Sequence, residues 1–184
     1  TGANSMIGRS IHKALLKRNL TVDPVLHTEC DLLDPYQVRS RFTISRPKYV
    51  IHAAGYNGGI EWNRRYPATI FYRTVQMGLN VLEMSHRFGV KKALSIVSSC
   101  SYPDLPGGIF TEGCLWDGRP NPTVECHAYA KRFLDAFSRQ ISKEFQANYV
   151  TVVLNNSYGP YDNFHPQKTK VVGAFIKKFV EAKE

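Results

Sequence analysis

Short apolar runs alternate with amphipathic stretches along this chain, a pattern that points to a parallel sheet flanked by helices. Residues 6–18 read as a helix, with Ile7, Ile11, Ala14 and Leu15 on one face. A short strand is expected at 22–26. Asp34 then offers a helix N-cap, and Pro35 suits the first helical position. Strands are expected at 49–54, 92–98 and 149–154, where the apolar runs are continuous. Long helices are expected at 67–88, closed by Gly89, and at 126–145. A last helix, with a lysine-rich outer face, is expected at 171–182.

With 184 residues, 43% of them hydrophobic and 21% charged, the chain suits one globular domain with a substantial core. No apolar run approaches the ~20 residues that cross a bilayer. Cys30, Cys100, Cys114 and Cys126 make no Cys-x-x-Cys pair and no zinc spacing, so no metal site is expected. Reduced thiols in the cytoplasm or another reducing intracellular compartment follow from that reading. The net charge of +9 is dispersed, and pairs such as Lys131-Arg132 and Lys177-Lys178 read as solvated surface. No motif points specifically to nucleic acid. Assembly against RNA or an acidic subunit stays open.

The chain opens Thr1-Gly2-Ala3-Asn4-Ser5-Met6-Ile7-Gly8. This is close to Gly-x-x-Gly-x-x-Gly, in which the first glycine makes a tight turn. The second admits a pyrophosphate, and the third lets the following helix pack on the sheet. Ser5 stands at the middle position, where its side chain takes up room and its hydroxyl is a candidate phosphate ligand. The alternative is a strand-to-helix turn holding no ligand. Such a loop follows a strand, so residues ahead of Thr1 are expected, carrying a first strand that this chain lacks. Near His27-Thr28-Glu29-Cys30-Asp31, Glu29 is the acid placed to hold a ribose hydroxyl, and His27 suits a weak phosphate contact. Asp31 orders the turn, with Leu32 beside an adenine. The fold expected is a Rossmann-type doubly wound parallel sheet. Residues 1–184 form an NAD(P)-binding domain and the start of a substrate-binding portion.

Three further strings narrow the reading: Ala53-Ala54-Gly55 after one buried strand, Ser98-Ser99-Cys100-Ser101-Tyr102-Pro103 after another, and Tyr158-Gly159-Pro160-Tyr161-Asp162-Asn163-Phe164-His165-Pro166. With Gly58-Gly59-Ile60, they resemble the extended short-chain dehydrogenase/reductases, and within them the GDP-L-fucose synthases. The resemblance spans the chain but only about two thirds of a family member, so the end at Glu184 looks early. It implies NADP(H), with binding placed in doubt by Ser5, and a GDP-4-keto-6-deoxy sugar as substrate. It also implies a homodimer built on the long helices. Cofactor positions carried over are Gly2, Ser5, Met6, Ile7, Gly8, Asp31, Leu32, Ala53, Ala54, Gly55, Lys131, Leu154 and Asn156.

In that family a serine, a tyrosine and a lysine reduce a ketone, while a cysteine and a histidine move the epimerisation protons. By position these fall on Ser98, His127, Lys131, Cys100 and Lys170, so the tyrosine is replaced by His127 and the histidine by Lys170. An asparagine of the family falls on Thr74. None of the ten tyrosines has a lysine four residues later, and Tyr129 points to another face of its helix. The Lys131 ammonium beside His127 disfavours the imidazolium, so the ring is a poor proton donor at neutral pH. Below about pH 6, near the unperturbed histidine value, the imidazolium is an available acid. The ordinary lysine pKa near 10.4 makes Lys170 a slow one. His52 is expected to be a hydrogen-bonded core residue, and His165 to shape a loop. Ser5, Thr74, His127 and Lys170 together suggest a degenerate relative, weakly active or non-catalytic, serving as a binding or structural subunit. The alternative is an active NADP-dependent nucleotide-sugar epimerase/reductase.

Overall fold

A computed structural model describes residues 1–105, 108–166 and 168–183. The elements in chain order are α1 (Met6–Leu16), α2 (Pro35–Ser45), β1 (Tyr49–His52), α3 (Ile60–Arg65), α4 (Pro67–Arg87), β2 (Lys92–Ser98), α5 (Glu125–Phe145), β3 (Tyr149–Leu154) and α6 (Val171–Glu181). Short 3-10 turns occupy Ser99–Ser101 and Glu112–Trp116. The strands form one parallel sheet in the order β1-β2-β3, with Val50 opposite Ala93 and Ala93 opposite Tyr149. Long helices connect the strands, as parallel pairing requires.

Several elements form for reasons visible in the sequence. Asp34 Oδ1 accepts the N–H groups of Tyr36 (2.8 Å) and Gln37 (3.3 Å), and Pro35 follows at the first helical position. Gly89 takes φ +65° just past α4. β2 and β3 have the expected bounds because their apolar runs are buried by helices. The core joins Val38 and Phe42 of α2, Val50 of β1, Val81 and Leu82 of α4, Ala93 of β2, and Leu134 and Ile141 of α5.

Other expectations are corrected. Residues 22–26 form no strand. The free edge of β1 is taken instead by Thr1, whose N donates to Ile51 O (2.7 Å) and whose carbonyl accepts Ala53 N (3.2 Å). Val25 packs against the core, but a strand exists only with a ladder partner. The run at 49–54 stops pairing after His52, so Ala53 and Ala54 lead into the turn at Gly55. α3 was not foreseen. Arg132, counted with the dispersed basic surface, is buried at 3% exposure, as is the site candidate Lys131 beside it at 6%.

The first turn of the chain is held by close packing. Gly2 has φ +73°, and a Cβ there would lie 2.6 Å from Ala54 N. A Cβ on Gly8 would collide with the Gly2 carbonyl, so only glycine lets α1 start this close to the loop. Gly8→Ala is therefore expected to lower unfolding free energy by about 1–3 kcal/mol, as overpacking does. Urea denaturation checks this. An unchanged midpoint would show that α1 does not pack on the loop as described.

Candidate active site

The loop ahead of α1 is built by its own serine. Ser5 is the N-cap of α1, with its hydroxyl accepting Gly8 N (3.0 Å) and donating to Gly2 O (2.8 Å). It is thus committed to the loop. This N-cap role went unread in the sequence, although serine just before an amphipathic helix is its usual signal. The N–H groups of Met6 and Ile7 have no partner among the described residues. With the positive end of the helix behind them, they suit a phosphate oxygen. One donor fewer is on offer than with glycine at position 5, yet the cradle is intact, and a dinucleotide pyrophosphate fits its chemistry.

The other cofactor candidates lie around the same end of the sheet or beside it. Ala53 and Ala54 follow β1 and line the loop at Gly2. Asp31 orders its turn, accepting Leu33 N at 3.0 Å. Leu32 is buried in the core, and its carbonyl accepts Asn80 Nδ2 (2.8 Å). Glu29 turns its carboxylate back toward Leu26 N (3.5 Å). Leu154 ends β3, and Asn156 is exposed beyond it.

Two neighbouring elements carry the catalytic candidates. Ser98 ends β2, and its Oγ accepts Cys100 N (3.3 Å), capping the turn that holds Cys100 half-exposed. Ser101 Oγ donates to Ala128 O (3.3 Å) of α5, which ties that turn to the helix bearing His127 and Lys131. Arg132 secures the same turn, its Nε donating to Ser101 O and its Nη1 to Gly118 O, both at 2.7 Å. Sequence reasoning missed Arg132, because nothing local marks a buried arginine. Tyr129 stacks near Arg132, 5.7 Å from its guanidinium, on another face from His127. Thr74 is fully buried, its hydroxyl donating to Tyr56 O (3.2 Å) and accepting Tyr56 N (3.4 Å), so it holds the turn after Gly55.

Lys131 brings its ammonium over that turn, 3.5 Å from where a Cβ on Gly55 would stand. It makes no side-chain hydrogen bond or ion pair among the described residues, and burial pushes its pKa down to about 8. His127 is 5% exposed, and its Nδ1 has no partner among the described residues. Its pKa is pushed down to about 3, first by burial, then by the charges of Lys131 and Lys170. The direction agrees with the sequence reading, but burial outranks the lysine. Lys170 sits exposed just before α6, close enough for its charge to act on His127. His52 is buried and held neutral, with Nδ1 bonded to Thr1 Oγ1 (2.9 Å) and Nε2 unpartnered, so it is only half satisfied. His165 contributes to its loop through its backbone, accepting Lys168 N (2.9 Å) and Thr169 N (2.8 Å). Among the described residues, no group of three or more His, Cys, Asp or Glu could hold a metal.

A phosphate-suited helix start, a serine and a cysteine at the end of the middle strand and a lysine on α5 are set on a parallel α/β sheet, the arrangement of a Rossmann-type domain. The chain belongs to the NAD dependent epimerase/dehydratase family, whose match covers residues 1–184. It is 32% identical to GDP-L-fucose synthase of Dictyostelium discoideum and 35% identical to that of Escherichia coli (strain K12), over 97% and 98% of this chain. It spans 57% of the length of each of these relatives. A GDP-L-fucose synthetase from Naegleria fowleri, solved bound to NADP, superposes with a TM-score of 0.90 at 29% identity. That match covers 98% of this chain and 60% of the other. The expected fold is confirmed.

The buried lysine sets a stability signature. Between its folded pKa of about 8 and the ordinary 10.5, the unfolded chain binds a proton that the folded one does not. Stability therefore rises with pH across that window. Lys131→Met is expected to raise unfolding free energy at pH 7 by about 1–3 kcal/mol and to flatten that rise. His127 acts at the other end. Between 6.5 and about 3 the unfolded chain again binds the extra proton, so stability falls as pH drops. His127→Phe removes this part of the acid loss. Urea melts from pH 4 to 10.5 check both. A Lys131→Met protein that is less stable at pH 7 would contradict the unpaired ammonium.

Proposed function

We propose that this chain is a degenerate GDP-L-fucose synthase-like domain that keeps a dinucleotide cradle but is feeble or inactive as a ketone reductase, serving as a binding or structural subunit. The observation that carries this is His127. It occupies the position of the proton-donating tyrosine, yet it is buried and held neutral at pH 7. A neutral imidazole is a very weak acid, and general acid catalysis is worth about 10²–10⁴-fold. The cradle supports NADP(H) as ligand through the N–H groups of Met6 and Ile7, with Gly2 and Gly8 holding the loop. Lys131 suits the cofactor ribose. The cofactor would supply the hydride, and this chain's own part is to orient it and to handle the proton.

A second reading keeps activity. Cys100 remains half-exposed on its capped turn beside α5, so proton exchange at carbon next to a ketone does not depend on His127. On that reading the substrate is a GDP-4-keto-6-deoxy sugar. In either case the exposed rings of Phe71 and Tyr72 on α4 and Phe133 on α5 fit a homodimer or a larger assembly. The four free thiols fit a reducing compartment such as the cytoplasm. No helix among the described residues is long and apolar enough to cross a membrane.

NADPH fluorescence titration, followed by turnover of GDP-4-keto-6-deoxymannose at pH 7, separates the two readings. The expected result is NADPH binding with reduction that rises by about 10²-fold or more in His127→Tyr, the gain ascribed to a restored acid. Efficient reduction by the unaltered chain, lost in Cys100→Ala, would overturn the degenerate reading and leave the enzyme. No binding at millimolar NADPH would overturn the cradle.

A further inference from the structure

We propose that the outer face of α1 and the turn bearing Tyr161 form a groove for single-stranded nucleic acid, with phosphates on Arg9, Lys13 and Lys17 and a base on the Tyr161 ring. This goes beyond the proposed function and does not rest on it.

The groove follows from the pattern of α1. Ile7, Ile11 and Leu15 share one face of the helix, while Arg9, His12, Lys13, Leu16 and Lys17 fall on the other. Those five side chains and Tyr161 line a groove of about 520 Å³, within the range of about 300–1,000 Å³ that ligand sites occupy. Arg9, Lys13 and Lys17 stand four residues apart, so the helical rise sets successive cations about 6 Å apart along the axis. That step is comparable to the one between successive phosphates of an extended strand. α1 carries no acid, and among the described residues none of the three cations makes an ion pair. Asp162, next to Tyr161, turns its carboxylate elsewhere. Its Oδ1 accepts Asn163 N (2.8 Å), and its Oδ2 lies 3.6 Å from where a Cβ on Gly173 of α6 would stand.

Tyr161 supplies a second, independent observation. Asp162 N donates to Gly159 O (3.2 Å), closing a turn with Pro160 and Tyr161 at its centre. Tyr161 has φ +70°, the backbone that such a turn ordinarily gives to glycine or asparagine. The backbone disfavours an aromatic residue there, so the use of Tyr161 lies in its ring. The turn sits over the start of α1, where a Cβ on Gly159 would lie 3.9 Å from Met6 Sδ. The Arg9 guanidinium lies 4.6 Å from the Tyr161 ring centroid, while its Nε donates to Asn4 O (3.1 Å). Tyr161 is 68% exposed, which leaves ring area for a base to stack. A positive groove that tracks a backbone, with an aromatic ring beside it, holds single strands without reading their sequence. An acidic peptide would meet the cations but bring no flat group to the ring.

The test is fluorescence anisotropy of a labelled uridine octamer titrated with the whole chain. Three phosphate contacts are expected to raise Kd by about 10- to 20-fold between about 50 and 200 mM salt. Lys13→Gln with Lys17→Gln should weaken binding by about tenfold or more at low salt and cut the log–log salt slope from about 2 to about 0.7. Tyr161→Ala should weaken binding about tenfold at an unchanged slope, and Tyr161→Phe should restore it. Lys91→Gln with Lys92→Gln, at the far end of the sheet, is the control for net charge. A control that loses as much as the α1 pair makes the attraction diffuse and overturns the proposal, as does no saturable binding at low salt. Tyr161→Ala without effect, or polyglutamate displacing the octamer as well as unlabelled octamer does, assigns an acidic peptide instead. Displacement by NADPH places the strand on the Met6 and Ile7 N–H groups, which overturns the groove too. NADPH titrated alone keeps the readings apart, because strand binding can fail while the dinucleotide cradle stands.

Discussion

The close approach of α4 and α5 decides where every functional group on α5 falls. Leu134 fills the space over Gly78, and any side chain at position 78 would push the helices apart. Leu134 is fully buried, as are Ala128 and Ala130 on the same helix. Ala128 and Ala130 lie on different faces of α5, and the Ala128 carbonyl takes the Ser101 hydroxyl of the turn after β2. His127 and Lys131, one turn apart on α5, are both buried, with the Lys131 ammonium over the turn at Gly55. Burial of the imidazole is thus a packing consequence, and its neutrality follows from burial before any charge is counted.

How much of this was legible in sequence follows from which forces are local. β2 and β3 were readable because a continuous apolar run needs cover on both faces, wherever it sits. Residues 22–26 were not, because a strand depends on a ladder partner, and Thr1 holds the edge of β1. Asp34-Pro35 was readable as a helix start, since cap chemistry reaches only three residues. Ser5 is the instructive miss at the site. Weighed only as an intruder or a phosphate ligand, it is in fact the cap that closes its own loop. The site strings around Ser98 and Cys100 were legible as a pattern, but the buried Arg132 that pins their turn was not. Its partners are carbonyls 14 and 31 residues away.

Lys131 and Arg132 make the functional argument by contrast. They are adjacent, carry the same charge, and are buried to nearly the same degree. Arg132 donates through Nε and Nη1 to two backbone carbonyls and lies 5.5 Å from the Trp116 ring, which ties its burial to the fold even though its Nη2 is buried without a partner among the described residues. Lys131 spends its donors on nothing in the described protein. A fold that required only a spacer there would be better served by methionine, which fills the same volume without a desolvated charge. On the proposed function, the Lys131 ammonium is the group left to meet the hydroxyls of a cofactor ribose. That argument holds whether or not His127 ever moves a proton, because it concerns what the pocket binds before it concerns what the pocket does.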